Sequence, residues 1–550
     1  MQEGLYLENC RLRHNIRNSM VKRTIVGAFM HKVIIIGGGP VGLSAAICLS
    51  YQGIKSILIE KHPTTTNHPK ARGVNGRSME LFRSWSLENQ MKQYQMPREA
   101  HGFTWIEDFQ GREITRVQAT VDYSQYSPTG NAVIAQDDVE RELFNKAQSM
   151  SLIDLRFNTE MIHATQDGTQ VTVEILNKKT NHKETLTAQY LIAADGANSP
   201  LRKLFNIEME GIDNLGLFCN IYCEMNLDKY VEHRPSAGFM FTRPDLRGTF
   251  LLSKKGHKKW LVGIRIGANP NVTKESFTDD FCVDYVKKII NDPEVEVNLI
   301  NKAFWTMAAL IAKQYRVGRV FVAGDAAHRL PPTGGFGMNT GIQDVHNLAW
   351  KLAMVLKGQA DESLLDTYFT ERAQIAETNT SWSMNNAKRF ETIFTALAKN
   401  DLVTFEEALK DQAHHINNIL LDLGFVYGSE YQTHEKYKPS AKIGARAPHC
   451  WLLKRNEQKD NEQMSTLDLY DTQFVLVCHP EARYWQDKYH QFPCKIVTIG
   501  EQGEYLDKNH DFLEKYEISK QGAVLVRPDG HVAWHAHDGR EDMASFLWLC

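Results

Sequence analysis

Val33-Ile34-Ile35-Ile36-Gly37-Gly38-Gly39-Pro40-Val41-Gly42 joins a continuous apolar run directly to a cluster of glycines. Four consecutive apolar residues that end in glycine are typical of a buried parallel strand. Residues 41–50 then have the composition of a helix, Gly53 ends it, and residues 56–60 predict the next strand. The stretch therefore predicts one βαβ unit of about the usual 30 residues, and with it an α/β fold.

The glycines of this stretch have the G-x-G-x-x-G spacing of a dinucleotide-binding turn. Gly37 allows the tight turn, Gly39 lets the backbone approach a pyrophosphate, and Gly42 permits close packing of helix on strand. The helix start at Pro40 and Val41 faces the phosphates with its partial positive charge. We therefore expect these five residues to bind a dinucleotide.

An acidic residue follows at the distance that this interpretation requires. Glu60 ends the second strand, 23 residues after Gly37, where a carboxylate can accept hydrogen bonds from ribose hydroxyls. Lys61 comes next and is included in the predicted site. The alternative is a glycine-rich turn without a ligand, which the combination of strand, spacing and acid disfavours.

Two further apolar runs end in residues suited to other parts of the same ligand. Residues 190–194 lead into Asp195-Gly196, and residues 320–323 lead into Gly324-Asp325. Asp325 is placed to bind the hydroxyls of a ribityl chain. Each of the two pairs alone would also fit an ordinary turn or a helix cap.

A loop rich in proline and glycine, residues 331–339, separates the second of these pairs from a helix predicted over residues 341–356. The loop lets the backbone come close to a flat ring, and the helix start would stabilise negative charge on a reduced flavin. The three stretches together predict bound FAD. The loop residues included in the predicted site are Pro332, Gly335, Gly337, Met338 and Asn339.

The composition narrows the class of protein. A chain of 550 residues is too long for one core, and its net charge of −3 argues against nucleic acid as an obligate partner. Nine scattered cysteines without CxxC spacing predict free thiols, no metal site and a cytoplasmic location.

No run is long and apolar enough to predict a membrane span. Residues 1–29 are basic but lack the apolar core of a signal peptide, so we interpret them as an extension without a folded role.

Residues 31–400 resemble the single-component flavoprotein aromatic hydroxylases, the family that includes para-hydroxybenzoate hydroxylase. The resemblance rests on the three stretches above, on residues 324–328 and 347–353, and on the segment His68 to Glu80. In that segment the family usually has arginine where this chain has Lys70, so Lys70 and Arg72 are both candidates to contact FAD. Gln136 is similar to the family glutamine that contacts the flavin.

The C-terminal part is similar to the thioredoxin-like tail of phenol-type and aromatic-polyketide hydroxylases. The similarity rests on residues 444–449, 465–469 and 525–530. Because this part lacks CxxC, we expect packing or oligomerisation rather than dithiol chemistry.

The expected architecture is a Rossmann-type FAD-binding domain with an inserted β-rich substrate domain and a C-terminal thioredoxin-like domain. The predicted boundaries are 1–29 for the extension, 30–100, 131–205 and 306–400 for the FAD-binding domain, 101–130 and 206–305 for the substrate domain, 401–438 for a helical linker and 439–550 for the tail.

The resemblance implies that NADPH or NADH reduces FAD, that O2 is trapped as a flavin C4a-hydroperoxide, and that an aromatic substrate of phenolic or polyketide-like type is hydroxylated. It implies a monomer or homodimer. Two alternatives remain open: an FAD monooxygenase that modifies an antibiotic or another non-phenolic molecule, and a flavin-binding assembly protein without catalysis.

No catalytic residue is identified from the sequence. A possible aromatic pocket and a set of polar side chains fall in the predicted substrate domain, and core packing or surface exposure explains each of them equally well or better. The aromatic residues are Phe103, Trp105, Phe239, Phe241 and Trp305; the polar ones are Tyr222, His233, Arg243, His257 and Arg265, with His328 beside the third strand end.

Overall fold

The computed structural model describes residues 31–256, 258–268, 272–417, 419–429, 436–455, 462–482, 484–488 and 493–540. The predicted extension 1–29 lies outside the described residues. Among the described residues no helix is both long and apolar enough to cross a membrane.

A six-stranded sheet forms the centre of the largest core. Its order is Arg316–Val317, Val320–Val322, Tyr190–Ala193, Val33–Ile36, Ser56–Ile59 and Ile153–Arg156. The last five strands are parallel to one another, and every residue of Val33–Ile36 is buried. The neighbouring parallel strands Val33–Ile36 and Ser56–Ile59 form the βαβ unit that the first stretch of sequence predicts.

One strand of this sheet differs from its prediction. The sequence favours a single strand from Val317 to Ala323, whereas the chain turns at Gly318 and forms an antiparallel hairpin. Gly318 has a positive φ of 57°, a conformation that glycine adopts without strain, and it reverses the chain there.

Helices pack on the sheet, and so does a three-stranded antiparallel sheet. Pro40–Tyr51 agrees with its predicted range, 41–50, within one residue at each end, and Gln136–Gln148 ends one residue beyond the helix that the sequence predicts over residues 136–147. Phe336–Leu356, called the flavin helix below, begins five residues before the predicted start at Gly341, so the end of the Pro-Gly loop is its first turn. The other helices of the N-terminal 300 residues are Gly76–Ser84, Glu88–Tyr94, Pro200–Leu204, Asp228–Val231 and Asp279–Ile290.

An eight-stranded mixed sheet lies beside the first one. Its order is His328–Arg329, Asn298–Ala312, Met209–Glu224, Lys259–Arg265, Thr249–Ser253, Gly238–Phe241, Gly102–Ile106 and Glu113–Gln118. Asp279–Ile290 packs on it through Cys282, Val286 and Ile289, which lie in its apolar core. Two smaller sheets are also described. Thr159–Gln166, Val171–Asn177 and Lys183–Ala188 form one, whose buried residues belong to the core of the six-stranded sheet, and Gly73–Val74 pairs with Ala132–Val133 in the other.

The region predicted to be wholly helical, residues 363–425, is divided into Thr367–Ala398, Leu402–Ile416 and Ile419–Leu423. The first break occurs at Asn400, which has a positive φ of 55°. Asp401 then caps the next helix by accepting a hydrogen bond from the Thr404 amide.

The C-terminal part contains a four-stranded sheet in the order Cys494–Thr498, Phe474–Cys478, Ala523–Val526 and Val532–Ala536. The first pair is parallel and the other two pairs are antiparallel, which is the strand arrangement of a thioredoxin-like core. Glu462–Ser465, Trp451–Lys454 and Tyr505–Asp507 form a second small sheet. The short helices Tyr484–Lys488 and Phe512–Lys515 complete the described part of this domain.

Candidate flavin and substrate cavity

One cavity of about 990 Å³ collects most of the residues that the sequence singles out. It opens at the carboxyl ends of the parallel strands, where Gly38, Glu60, Ala194 and Ala323 form part of its wall. This is the position in which open α/β sheets bind their ligands. The predicted site residues that line it are Gly39, Pro40, Val41, Glu60, Lys70, Arg72, Gln136, Gly196, Asp325, Pro332, Gly335, Gly337, Met338 and Asn339.

Gly37 and Gly42 do not line the cavity, and their surroundings show close backbone packing instead. A Cβ on Gly42 would lie 1.9 Å from the Gly37 carbonyl oxygen, and a Cβ on Gly37 would lie 2.2 Å from the carbonyl oxygen of Ala194. A Cβ on Gly39 would meet nothing within 4 Å. The turn is therefore tightly packed on the protein side and open toward the cavity, as a turn that receives a phosphate must be.

Glu60 is held against the glycine turn. Its carboxylate accepts hydrogen bonds from the Gly38 amide at 2.6 Å and from the His62 amide at 2.8 Å. Lys61 is exposed and does not line the cavity. The structure thus brings Glu60 to the nucleotide end of the cavity and leaves Lys61 outside it.

Gln136 holds the segment that contains both basic candidates. Its Oε1 accepts hydrogen bonds from the backbone amides of Lys70 and Ala71, and its Nε2 donates to Glu140. The Glu140 carboxylate in turn accepts from the Thr66 amide at 2.9 Å. Helix Gln136–Gln148 therefore fixes the path of this segment along the cavity wall.

Arg72 differs from Lys70 in its surroundings. Lys70 is exposed, whereas the Arg72 guanidinium is buried and donates one hydrogen bond, to the Ser253 carbonyl. Its Nε and Nη2 are buried and have no partner among the described residues. Burial lowers the pKa of Arg72 to about 10. A buried cation with two unused donors at a cavity wall fits a ligand that carries acceptors or negative charge.

Asp195 lies behind the cavity wall. Its carboxylate accepts from the Ser199 hydroxyl at 2.6 Å and from the Leu201 amide at 3.1 Å, and burial raises its pKa. Arg202 donates to the carbonyls of Ala197 and Ala326. These bonds tie the loop after one strand to the loop that carries Asp325, so Asp195 positions the wall while its neighbour Gly196 forms part of it.

The third strand end meets the flavin helix at the cavity. Asp325 is exposed there and makes no hydrogen bond within the described part of the chain. Gly335, with a positive φ of 70°, precedes the first turn of the helix. The Asn339 amide group donates to the carbonyls of Gly73 and Gly335, and its oxygen accepts from the Asn75 amide. This side chain therefore joins the helix start to the 73–75 segment on the opposite wall.

His328 is a structural residue. Its ring is fully buried, and its Nε2 lies 2.7 Å from the Asp344 carboxylate. Asp344 also accepts from Arg372 Nε at 2.8 Å and from the Gly324 amide at 3.2 Å. Burial would raise the pKa of Asp344, but His328 and Arg372 lower it below its usual value. This group fixes the strand end to the flavin helix, and sequence reasoning missed its members Asp344 and Arg372.

Beyond the flavin helix the cavity wall becomes aromatic and apolar. Phe218 and Trp305 stack with ring centroids 4.6 Å apart and an interplanar angle of 14°. The Trp305 indole donates to Asn220 Oδ1 at 3.0 Å, which fixes the ring. The other aromatic side chains on this wall are Phe103, Phe250, Phe336, Phe390, Phe394 and Tyr123.

The sequence candidates in this region separate into two groups. Phe103, Trp305 and Arg265 line the cavity. The remaining described ones lie elsewhere: Trp105, Tyr222, Phe239 and Phe241 are buried away from the cavity wall, His233 is exposed, and Arg243 pairs with Asp108 and Asp245. His257 lies outside the described residues.

Comparisons with known proteins agree with this geometry. Residues 30–383 match the FAD binding domain family, and residues 440–547 match the family described as the aromatic-ring hydroxylase C-terminal domain. The chain is 32% identical over 542 residues to a putative polyketide hydroxylase of Streptomyces halstedii, covering 93% of this chain and 95% of the relative. It is 34% identical over 558 residues to tetracenomycin A2 monooxygenase-dioxygenase of Streptomyces glaucescens, covering 94% and 95%.

Solved structures give the same result. The flavin-dependent monooxygenase PieE, solved in complex with FAD and substrate, superposes with a TM-score of 0.88 at 28% identity, covering 95% of this chain and 100% of that chain. Aklavinone-11 hydroxylase, solved with FAD and aklavinone, superposes with a TM-score of 0.81 at 26% identity, covering 95% and 99%. The chain therefore belongs to the FAD-dependent aromatic-ring hydroxylases and is a flavoprotein monooxygenase.

Proposed function

We propose that this enzyme uses NADPH or NADH and O2 to hydroxylate an aromatic substrate of phenolic or polyketide-like type that lies beside FAD in the 990 Å³ cavity. The observation that carries the proposal is the continuity of that cavity. The same space reaches from the glycine turn, past the start of the flavin helix, to the stacked Phe218 and Trp305.

We infer which part of FAD each part of the cavity would hold. Glu60 suits the ribose, and the amides at the start of helix Pro40–Tyr51 suit the pyrophosphate. Asp325 suits the ribityl hydroxyls, and the first turn of the flavin helix suits the ring. Arg72 lines the same space and carries two buried donors without a partner among the described residues, so we assign the arginine contact of the family to Arg72 rather than to the exposed Lys70.

The aromatic wall is the proposed substrate site. Aromatic side chains bind a flat ring through offset stacking and edge contacts, each of which is worth about 0.5–1.5 kcal/mol beyond the area it buries. The hydrogen bond from Trp305 to Asn220 keeps one face of this site rigid. Relatives named for polyketides and for phenols both match this chain, in agreement with an aromatic substrate.

Bound FAD would take a hydride from the nicotinamide and activate O2, and the protein's own part is to orient the two molecules and exclude water. The start of the flavin helix would stabilise negative charge on the reduced ring. The apolar wall would keep water away from the reacting atoms.

We further assign residues 101–130 and 206–305 to the substrate domain, because both ranges contribute strands to the eight-stranded sheet that carries Phe103, Phe218 and Trp305. The C-terminal domain is assigned a packing role. A cytoplasmic location and a monomer or homodimer stay predictions from the sequence.

The test uses purified protein. We expect a yellow preparation with flavin absorbance, NADPH or NADH oxidation that an aromatic substrate stimulates, and a product heavier by one oxygen atom. A panel of phenols, quinones and polyketides, followed by nicotinamide absorbance and product mass, identifies the substrate class. A colourless protein that does not take up FAD would contradict the proposal.

A further inference from the structure

A tyrosine and an aspartate form a hydrogen-bonded pair in the wall of the cavity that carries the aromatic side chains. Tyr123 and Asp422 both line the cavity, and the Tyr123 hydroxyl donates to Asp422 Oδ2 at 2.5 Å. They are 299 residues apart in sequence and come together because helix Ile419–Leu423 packs on helix Gly76–Ser84. A second polar side chain of the cavity wall, Gln412, is buried, and its Oε1 has no partner among the described residues.

This pair lies close to the start of the flavin helix. Asp422 Oδ2 also accepts from the Gly76 amide at 3.3 Å, and the preceding amide, that of Asn75, donates to Asn339 Oδ1 at 3.0 Å. One residue of backbone therefore separates the aspartate from a side chain in the first turn of the flavin helix. A substrate hydroxyl at Tyr123 would place its ring between the flavin site and the aromatic wall.

Several charged groups face Asp422 from the elements packed against it. Glu80 lies on helix Gly76–Ser84, and its carboxylate is paired with Arg446 and Arg77. A small cavity of about 20 Å³ lies on the other side of Asp422. The ionisable residues that line this cavity with Asp422 are Arg77, His346, Arg372, Tyr427, Arg446, Asp529 and His531.

Among these groups Asp422 is the one that changes charge in the physiological range. Burial, together with the nearby Glu80 carboxylate, raises the pKa of Asp422 to about 6. Burial lowers the pKa of His346 to about 3 and that of His531 to about 4, so both stay neutral near pH 6. Burial and the Asp422 charge raise the pKa of Tyr123 well above its usual value, so Tyr123 keeps its proton.

We propose that Tyr123 and Asp422 are the proton-accepting end of the substrate site, which binds the hydroxyl of a phenolic substrate and takes its proton. This inference rests on the proposed function. The substrate O–H bond breaks as its proton passes to the Tyr123 oxygen, while the Tyr123 proton passes to the Asp422 carboxylate. The substrate becomes a phenolate and Asp422 a neutral acid, with no electron transfer. The phenolate ring is richer in electrons and accepts an oxygen atom more readily.

The first experiment compares pH profiles of kcat/KM for the phenol that the panel identifies as the fastest substrate. In the wild type, kcat/KM should fall below about pH 6 as Asp422 is protonated. Asp422→Asn keeps both hydrogen bonds but cannot take a proton, so kcat/KM at pH 8 should drop about 100-fold and the fall below pH 6 should disappear. Tyr123→Phe removes one oxygen atom and should lower kcat/KM at least tenfold.

Asp471→Asn is the matched control. Burial also raises the pKa of Asp471, but this residue does not line the cavity. We expect the wild-type profile for this variant. FAD content, read from flavin absorbance, should be equal in all four proteins.

A binding measurement separates proton acceptance from a merely structural role. Changes in flavin absorbance give the dissociation constants of 2-naphthol and of its methyl ether, which has no proton to give. The wild type should prefer the naphthol about tenfold, and Asp422→Asn and Tyr123→Phe should lose that preference. Equal weakening of both ligands, or an Asp422→Asn profile that keeps the wild-type pH dependence, would overturn the inference. A wild type that hydroxylates nothing in the panel would instead refute the proposed function, and the inference with it.

Discussion

The flavin helix is held in two ways: the part as far as Gly341, called the shape-dependent half, is held by close packing, and the part from Asp344 onward, called the charged half, is held by ion pairs. At its N-terminal half small residues allow close backbone contact: a Cβ on Gly341 would lie 2.6 Å from a Val41 methyl group and 2.9 Å from the Gly324 Cα. At its C-terminal half buried charges hold it: Lys351 pairs with Glu371, which also pairs with Arg527 of the C-terminal domain. The half that meets the cofactor thus depends on shape, and the half that meets the rest of the protein depends on charge.

The difference has a physical reason. Charged side chains beside the flavin would compete with it for its hydrogen-bond partners in the protein. Close packing of the backbone leaves the amides of the helix start free to bind the ligand. Away from the ligand, a buried charge is tolerated only where its partners are complete, and such groups fix one arrangement of neighbouring elements. Asp529 completes this set by accepting hydrogen bonds from Asn347 and from the Trp350 indole.

Removal of the Asp344 carboxylate should cause the largest loss of stability. Asp344→Ala leaves the buried Arg372 and His328 without their shared partner, so the free energy of unfolding should fall by about 3–5 kcal/mol. Urea denaturation followed by tryptophan fluorescence measures it. Asp344→Asn, which keeps the shape, should lose less than the alanine variant. A loss below about 1 kcal/mol for Asp344→Ala would show that charge does not hold this half.

A fall in pH should weaken the ion pairs of the charged half before it affects the close packing of the shape-dependent half. Burial would raise the pKa of Glu371, but Arg527 and Lys351 lower it to about 2. Because the folded-state pKa is depressed, the stabilisation is complete above pH 4.5 and is lost as the pH falls from about 4.5 toward 2. The loss is on the order of 3 kcal/mol. Thermal unfolding at a series of pH values should show a steeper decrease of Tm over this range in the wild type than in Glu371→Gln. Identical slopes would contradict the assignment.

A methyl group at Gly341 should disturb the other half. Gly341→Ala places its Cβ against Val41 and Gly324, and such overpacking should cost about 1–3 kcal/mol and weaken FAD binding. Gly337→Ala is the control for stability, because its Cβ would lie 3.9 Å from the nearest atom, an Asp325 carboxylate oxygen. Differential scanning fluorimetry and FAD titration of the apoprotein measure both effects. Equal stability of the two variants would show that close contact at Gly341 is unimportant.

The smallest effects concern two basic residues of the predicted FAD site, Arg72 inside the cavity wall and Lys61 outside it. Arg72→Lys loses the planar fork whose buried Nε and Nη2 have no partner among the described residues, so the dissociation constant of FAD should rise about tenfold. Lys61→Ala, at an exposed position outside the cavity, should change it by less than about twofold. Fluorescence quenching of FAD on binding to the apoprotein gives both constants. A larger effect at Lys61 than at Arg72 would reverse the assignment.

The glycine turns of the flavin site could be predicted from the sequence because their determinants are neighbours in the chain. Gly37, Gly39 and Gly42 follow their strand directly, and the Pro-Gly loop adjoins the helix that it starts, so spacing alone indicates the geometry. The same locality predicted the helices Pro40–Tyr51 and Gln136–Gln148 to within one residue.

The charged half and the substrate region could not be predicted in this way. Arg372 donates a hydrogen bond to Asp344, which lies 28 residues away in sequence, and the Trp350 indole donates to Asp529, which lies 179 residues away. The sequence around each of these residues gives no sign of its partner. Phe218 and Trp305 become neighbours only through strand pairing. The hairpin at Gly318 was missed because a turn of two residues hardly interrupts an apolar run.

The most direct test of the central claim is an isotope experiment on the FAD-loaded enzyme with its best aromatic substrate. Under ¹⁸O2, with NADPH or NADH supplied, each product molecule should gain one labelled oxygen atom, and one nicotinamide should be oxidised per product. Product without label, or nicotinamide oxidation that yields only hydrogen peroxide with every aromatic compound tried, would contradict the assignment of this cavity to aromatic hydroxylation.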